Sequence, residues 1–206
     1  MKKKEYEVEL RGFLKKKDFF ELRKRLEMDC VSFEIDHKVS YFFAVSGFIL
    51  KINDEEAKKT AKIVMKLGHE TGSVFEEIEV NMMSKDDIEK VLKIFSALGI
   101  NEVNKVPQLR YNYFFTNSVT ISLKHTPDFK YHFEVEGVAN SSKIVGTIKR
   151  RLMELCGKYG LRYLSEAEMA NVINRINTKR GFSHKYSIYE KNDNGNEKRI
   201  GRYIKQ

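Results

Sequence analysis

The sequence predicts an α+β protein in which an eight-stranded antiparallel β-barrel carries amphipathic helices on its outside. Alternation of apolar and charged residues dominates the first 136 residues, and period-2 alternation is typical of two-faced strands. The stretches between these strands are mostly short, which favours antiparallel neighbours. Four other segments repeat apolar residues at the helical period and need an apolar partner. The strands supply that partner if their charged faces turn inward, into the lumen of a closed sheet.

The predicted strands are defined by this alternation. In the first, Glu7, Glu9 and Arg11 alternate with Val8 and Leu10. A Ser-Gly pair at residues 46–47 suits a two-residue hairpin turn between the second and third strands. The eight strands are predicted near residues 5–11, 39–45, 48–53, 62–67, 77–80, 110–115, 119–124 and 131–137.

The four predicted helices have recognisable start and stop signals. A short polar residue followed three positions later by an acid forms a capping pair. The third helix follows a Ser-Ser pair at residues 141–142, and glycine is expected to end the second helix at residue 99 and the third at residue 157 or 160. The capping pairs of the other three helices are Asp18 with Glu21, Ser84 with Asp87, and Ser165 with Glu168.

Composition excludes several classes of protein. Hydrophobic residues make up 41% of the 206 residues, which is enough for a core, and charged residues of both signs make up 33%. The two cysteines, Cys30 and Cys156, form no CxxC motif, which excludes a disulfide scaffold and a cysteine zinc site. The longest apolar run, Tyr41–Leu50, is far shorter than the roughly 20 residues that span a bilayer. With no apolar stretch behind the basic N-terminal residues, we expect a cytoplasmic protein with no membrane association.

The domain organisation is expected to be one tunnel-like domain over residues 1–178 and a basic, flexible tail over residues 179–206. The net charge is +9, and the tail, with 8 basic and 3 acidic residues, accounts for +5 of it. Solvation is the favoured role of the tail, and contact with RNA or another polyanion is the alternative. Aromatic residues near 111–115 could stack on RNA, but packing in the barrel is favoured, so nucleic acid is the less favoured partner.

The polar strand faces carry charge in a regular pattern. Acid pairs at i and i+2 point two carboxylates in one direction, and such pairs persist because water screens them or because a cation lies between them. Solvent-facing charge is the ordinary arrangement in antiparallel sheets. In a lumen, the acids would suit hard divalent cations and the bases would suit phosphate oxygens. The acid pairs are Glu7/Glu9, Glu77/Glu79 and Glu134/Glu136, and the corresponding basic residues are Arg11, Lys51, Lys62, Lys66, Arg110 and Lys124.

Several short motifs follow one another along these strands. They are Glu7-Val-Glu9-Leu-Arg11, Ser40-Tyr41-Phe42, Leu50-Lys51-Ile52, Lys62-Ile-Val-Met-Lys66, Glu76-Glu77-Ile-Glu79, Arg110 and Phe133-Glu134-Val-Glu136. In this order they resemble the CYTH superfamily, the triphosphate tunnel metalloenzymes, whose first strand carries ExExK/R and whose last strand carries FxExE. This superfamily includes class IV adenylate cyclases, thiamine triphosphatases and inorganic triphosphatases. The resemblance covers about residues 5–176.

The resemblance implies an enzyme whose tunnel binds a triphosphate-bearing small molecule end-on together with Mg²⁺ or Mn²⁺. Hydrolysis of tripolyphosphate or of a nucleoside or thiamine triphosphate is the first expectation, and cyclisation of ATP is the second. The helices and the family leave a homodimer open. The implied metal ligands are Glu7, Glu9, Glu134 and Glu136, with Glu77 and Glu79 as further candidates. The implied substrate-binding residues are Arg11, Lys51, Lys62, Lys66 and Arg110, and the implied catalytic residues are Glu7, Glu9 and Lys66.

Four positions depart from the family's pattern. Gln108 and Leu109 stand where Arg or Lys is common, and Lys124 stands where the family carries an acid that helps to hold metal. Lys51 replaces an arginine and lacks its bidentate fork. These departures leave open a degenerate tunnel that binds polyphosphate, nucleotide or RNA 5′ ends without turnover. A structural barrel whose charged strands are simply solvated is the third interpretation.

Overall fold

The computed structural model describes residues 5–43, 45, 48–55, 58–68, 72–116, 118–180, 185–191 and 197–204. A short 3₁₀ turn at Ser142–Ile144 precedes the third helix. In chain order the elements are β1 (Tyr6–Phe13), α1 (Lys16–Asp29), β2 (Ser32–Phe43), β3 (Phe48–Glu55), β4 (Thr60–Leu67), β5 (Val74–Met82), α2 (Asp87–Ala97), β6 (Val103–Phe115), β7 (Val119–Thr126), β8 (Lys130–Ala139), α3 (Val145–Tyr159), α4 (Glu166–Arg180), β9 (Lys185–Lys191) and β10 (Glu197–Ile204).

Strands β1 to β8 form the closed antiparallel barrel that the sequence predicted. Around the barrel the order is β6-β2-β3-β4-β5-β1-β8-β7, and β7 pairs back with β6. Residues directly opposite each other in an antiparallel ladder project to the same side of the sheet. Glu9 lies opposite Glu136, and Arg110 lies opposite Lys124. The register therefore brings charged faces from different strands into one lumen.

The helices pack on the outside, where their apolar stripes meet the apolar strand faces. In one core, Phe19 of α1 and Leu152 of α3 are buried together with Phe133 of β8. In a second core, Leu92 of α2 is buried with Ile52 of β3. The prediction that the apolar strand faces point outward to the helices is confirmed.

The predicted capping pair of α4 forms as expected, whereas that of α2 closes a turn just before the helix, whose N-cap, Asp86, makes no side-chain capping bond. The backbone N–H of Ser84 donates to the Asp87 carboxylate at 3.0 Å, just before α2. At the start of α4, the N–H of Ser165 donates to Glu168 at 2.8 Å, and the N–H of Glu168 donates back to the Ser165 hydroxyl at 3.2 Å. Gly160, in the left-handed conformation at φ 66°, ends α3. Local sequence therefore fixes the start of α4 and the end of α3, because each cap satisfies backbone groups that the helix cannot.

The predicted capping pair of the first helix is wrong. Helix α1 begins at Lys16, and its N-cap, Lys15, makes no side-chain capping bond. The N–H of Phe19 donates to the carbonyl of Lys15 at 3.0 Å, which closes the first turn earlier than predicted. Asp18 consequently lies within that first turn, where its charge is favourable near the helix N-terminus.

Two strands begin well before the predicted segments. Strand β2 begins at Ser32 rather than near residue 39, and β6 begins at Val103 rather than near residue 110. The two strands pair with each other along the whole of β2. Asp36 and Lys38 are buried within the added part of β2. The lumen therefore extends further, and contains more charge, than predicted.

The terminal and connecting segments were predicted in less detail. Residues 179–206 begin inside α4 and contain β9 and β10, which pair with each other. Strand β9 also meets β6, where Tyr186 lies opposite Val103. The boundary at residue 178 and the flexibility of the tail stay predictions, and the predicted turn at residues 46–47 lies outside the described residues. No helix in the described part of the chain is both long and apolar enough to cross a membrane.

Gly12 lets β1 pass close beneath the segment that follows α3. A β-carbon at this position would lie 2.4 Å from the Arg162 carbonyl oxygen and 2.6 Å from the Phe133 ring. We expect Gly12→Ala to lower the free energy of unfolding by about 1–3 kcal/mol, because packed atoms must move. Urea denaturation measures the change, with Gly146→Ala as the control, since a β-carbon there meets nothing within 4 Å. Equal stability of the Gly12→Ala variant and the wild type would contradict the prediction.

Candidate active site

The barrel encloses a cavity of about 270 Å³. Met169 and Ile173 of α4 contribute apolar side chains to its wall. Within the described residues, the predicted site residues that line it are Glu9, Arg11, Lys51, Lys66, Arg110 and Glu134, whereas Glu7, Lys62, Glu77, Glu79 and Glu136 are not part of its wall. The structure thus brings charged residues from β1, β3, β4, β6 and β8 around one space.

Three predicted carboxylates converge in the lumen, and we call Glu7, Glu9 and Glu136 the acid cluster. One oxygen from each lies within 4.8 Å of the others. Strand β1 supplies the first two at i and i+2, and β8 places Glu136 directly opposite Glu9. Carboxylate oxygens are the ligands that Mg²⁺ and Mn²⁺ prefer. The acid cluster is therefore the candidate metal centre of the described chain.

Lys66 lies against the acid cluster and neutralises part of its charge. Its ammonium contacts Glu7 and lies 3.1 Å from Glu9 Oε2 and 3.4 Å from Glu77 Oε2. Burial would lower the pKa of Lys66, but the carboxylates around it raise that pKa well above its usual range. Burial would raise the pKa of Glu7, but Lys66 outweighs burial and lowers it. Both groups are therefore charged at neutral pH.

One lysine does not balance all the acids near it. Among the described residues, Glu136 takes part in no ion pair of 4 Å or less. Burial raises the pKa of Glu136, and nearby Arg110 offsets part of this effect. Burial and the adjacent Glu7 raise the pKa of Glu77 to about 8. Because buried negative charge needs a cation or a proton nearby, the residues present fit a bound divalent ion.

The wall formed by β2, β3, β6 and β7 is basic, and we call Lys38, Lys51, Arg110 and Lys124 the basic wall. All four line the cavity. Burial, together with nearby Lys66, lowers the pKa of Lys51 to about 8. Burial and the neighbouring Arg110 lower the pKa of Lys38 well below its usual range. Because burial and mutual repulsion disfavour the charged forms of these lysines, a bound polyanion would stabilise those charged forms.

Two predicted phosphate-binding residues are engaged with protein groups. Arg11 Nε lies 3.2 Å from Glu9 Oε1, and its Nη2 donates to the carbonyl of Gly72 at 2.8 Å. Lys62 contacts Glu79 and does not line the cavity described above. Their roles toward phosphate, like that of Glu79 toward metal, stay predictions.

Sequence reasoning missed polar residues on the inner face of β2. Lys38 and Ser40 line the cavity. The Ser40 hydroxyl donates to Asn53 Oδ1 at 2.8 Å and accepts from the Gln108 amide at 3.1 Å. Continuing the β2 alternation toward its start would have found Lys38. Gln108 faces the cavity as a neutral donor, whereas Leu109 alternates to the outer face, so its apolar side chain removes no base from the lumen.

The aromatic residues of β6 pack in the barrel. Tyr113 is fully buried, and Tyr111 and Phe115 pack against the same core. A buried ring has no free face for a nucleic-acid base. Packing is therefore the role that the structure supports for these residues.

Known proteins resemble the chain in structure. No protein-family model and no curated protein matches it. A Pyrococcus horikoshii protein, PH1819, has a TM-score of 0.63 at 20% identity over 80% of this chain and 98% of its own. A Hippeastrum protein, described as a candidate adenylyl cyclase with dominant triphosphatase activity, has a TM-score of 0.53 at 16% identity over 77% and 89%. The Mimivirus capping enzyme triphosphatase has a TM-score of 0.51 at 10% identity over 78% and 90%. The chain therefore shares the fold of these solved structures.

Proposed function

We propose that the chain is a cytoplasmic, divalent-metal-dependent enzyme that hydrolyses the terminal phosphate of a triphosphate-bearing small molecule. The observation that carries this proposal is that the acid cluster reaches, through Glu9, the same cavity that the basic wall lines. Such a lumen can hold a cation and a polyphosphate side by side. Structural neighbours described as triphosphatases support the same reaction class.

The acidic and basic residues of the lumen would have different roles in phosphoryl transfer. The acid cluster would hold Mg²⁺ or Mn²⁺, which supplies charge neutralisation and Lewis-acid polarisation of a phosphoryl oxygen when bound. The basic wall would bind phosphate oxygens, and Lys66 would lie between them and the acids. Phosphoryl transfer depends mainly on positioning and on stabilising charge. A protein nucleophile is therefore not required. Electrostatic contacts are also stronger in the buried lumen than in water, because the effective dielectric constant is lower there.

Phosphorus NMR of the purified protein with tripolyphosphate, and separately with ATP, tests the proposal. Each sample contains Mg²⁺ or Mn²⁺, and a matched sample contains EDTA. Orthophosphate that appears only with the metal would support hydrolysis. Pyrophosphate together with a cyclic nucleotide would instead identify a cyclase. Absence of any change in either substrate signal would overturn the tunnel function for these ligands.

Binding without turnover is the second candidate function. It is favoured by Lys124, a base where the family carries an acid, and by Gln108, a neutral donor in the basic part of the lumen. Broadening of the phosphorus signals in Mg²⁺ that requires the protein and yields no product would identify it. A cation-independent binder should bind tripolyphosphate as well or better after Glu136→Gln, because a negative charge is removed.

The affinity for metal-free tripolyphosphate should depend on the charge of Lys51. Its pKa of about 8 means that the ammonium is charged below pH 8 and neutral above it. We therefore expect Lys51→Arg, which stays protonated, to gain affinity relative to the wild type between pH 7 and pH 9 by up to about tenfold. Calorimetric titration at pH 7, 8 and 9 measures the ratio. A constant ratio across this range would contradict the prediction.

A further inference from the structure

Glu134 and Glu136 lie two residues apart on β8, but their surroundings have opposite charge. Glu136 belongs to the acid cluster. Glu134 contacts the ammonium of Lys124. Lys124 in turn lies opposite Arg110 of β6. One face of the same strand thus passes from an acidic region into a basic one.

The numbers of charges differ between the two regions. Near Glu136, the Lys66 ammonium is shared by Glu7, Glu9 and Glu77, and the Arg11 guanidinium pairs with Glu9, so the four acids outnumber the two bases. Near Glu134, the carboxylate has an ammonium of its own, that of Lys124. The Lys124 side chain is 7% exposed, so it has little room to leave the lumen. A divalent cation at Glu134 would have to displace or repel this buried ammonium.

We propose that the lumen binds one divalent ion, at the acid cluster, and that the Lys124 ammonium takes the place of a second cation beside the phosphate chain. Glu134 is then a positioning residue that holds Lys124, not a metal ligand. This inference rests on the proposed function, since it assigns metal binding and phosphate binding to different residues of the same lumen. A phosphate oxygen beside Lys124 would meet a fixed ammonium instead of a second metal ion.

Manganese binding to the substrate-free protein, followed by electron paramagnetic resonance, tests the assignment of the two acids. We expect one Mn²⁺ per wild-type chain. Glu136→Gln should weaken its binding at least about tenfold, and Glu134→Gln should change it less than about threefold. Equal weakening by both variants, or two ions in the wild type, would overturn the proposal. No ion in the wild type would instead refute the metal centre of the proposed function.

A second pair of variants tests Lys124 itself. Lys124→Glu should create a second Mn²⁺ site, whereas Lys93→Glu, an exposed change of equal charge on α2, should leave one ion per chain. If Lys124→Glu still binds one ion, Lys124 does not stand in for a second cation. Lys124→Gln removes the charge without adding a ligand. This variant should still bind one Mn²⁺ ion, but its affinity for metal-free tripolyphosphate should fall at least about tenfold. Unchanged tripolyphosphate affinity would overturn the proposal even where Lys124→Glu fails to fold.

The positioning role of Glu134 has its own signature in kinetics. Glu134→Gln should raise the KM for tripolyphosphate about tenfold while Mn²⁺ affinity stays at the wild-type level. Glu134→Asp keeps a carboxylate for Lys124, so its KM should lie close to the wild-type value. If the KM of Glu134→Asp is as high as that of Glu134→Gln, with the fold confirmed by circular dichroism, the positioning role is contradicted.

Discussion

Replacement of Glu136 by Gln is expected to lower the turnover number for a triphosphate substrate at least about 100-fold. The amide keeps the size of the side chain but removes one of the three carboxylates of the acid cluster. Loss of a single group that stabilises charge in a transition state typically costs about 10²–10³ in rate. Release of orthophosphate in the presence of saturating Mg²⁺ measures the effect. Full activity in this variant would remove the acid cluster from the proposed reaction.

The same substitution should leave the protein as stable as the wild type or more stable. Burial raises the pKa of Glu136, so ionising this carboxyl costs more in the folded chain than in the unfolded chain. Its destabilising effect is absent at low pH, where the group is protonated, and grows as pH rises through the folded pKa. Thermal unfolding at pH 5 and pH 7 should therefore show a smaller loss of stability with rising pH in Glu136→Gln than in the wild type.

A matched control separates these effects from a general loss of acid. Glu154 lies exposed on α3, outside the barrel, and Glu154→Gln should change neither turnover nor stability measurably. Loss of activity together with retained stability, confined to Glu136→Gln, indicates a residue kept for function at some expense of stability. Loss of both in Glu136→Gln would indicate a structural role instead.

The barrel could be predicted from sequence because strand alternation is a local property. Charged residues at every second position of β1 are enough to place Glu7 and Glu9 on one face. Their neighbours depend on register, which is set by pairing between distant strands and by closure of the barrel. Glu134 and Glu136 therefore have the same sequence pattern, although within the described residues Glu136 joins the acid cluster and Glu134 pairs with Lys124.

The missed start of β2 has a different cause. Phe33 and Ile35 on its outer face are 49% and 45% exposed, whereas Asp36 and Lys38 are buried on the inner face. This is the reverse of the usual rule that apolar residues are buried and charged residues are exposed. A strand of this kind can be recognised only after the barrel has assigned its charged face to the lumen.

Lys66→Met is expected to have the largest effect on stability of the lumen variants, because it removes the cation shared by Glu7, Glu9 and Glu77. Breaking a buried ion pair by removing one partner typically costs about 3–5 kcal/mol. Methionine keeps most of the apolar stem, so the loss reports mainly on charge. Urea denaturation at pH 7 without divalent ions measures it. Lys62→Met is the control, since Lys62 and Glu79 are 25% and 37% exposed, and exposed pairs contribute less than about 1 kcal/mol.

The pH dependence of this variant has a definite sign. The carboxylates raise the pKa of Lys66, so its contribution is fully present below the pKa of an unfolded lysine and is lost only as pH rises through the higher folded value. At neutral pH the wild type therefore retains the full contribution. In Lys66→Met the carboxylates lack their ammonium, and protonation relieves their repulsion. The difference in stability between variant and wild type should shrink as pH falls from 7 to 4.

Divalent ions provide the decisive comparison for Lys66→Met. If the acid cluster binds Mn²⁺, the ion replaces the missing ammonium and stabilises the folded variant by about 2.7 kcal/mol at 100 times its dissociation constant. A barrel with merely solvated acids would show no such recovery, because its carboxylates would not converge on one ion. Recovery of Lys66→Met by Mn²⁺, and its absence when Glu136→Gln is added, would connect the stability of the lumen to the same carboxylates that the proposed reaction requires. Persistent instability at saturating Mn²⁺ would mean that Lys66 holds these strands together in a way that no bound cation can replace.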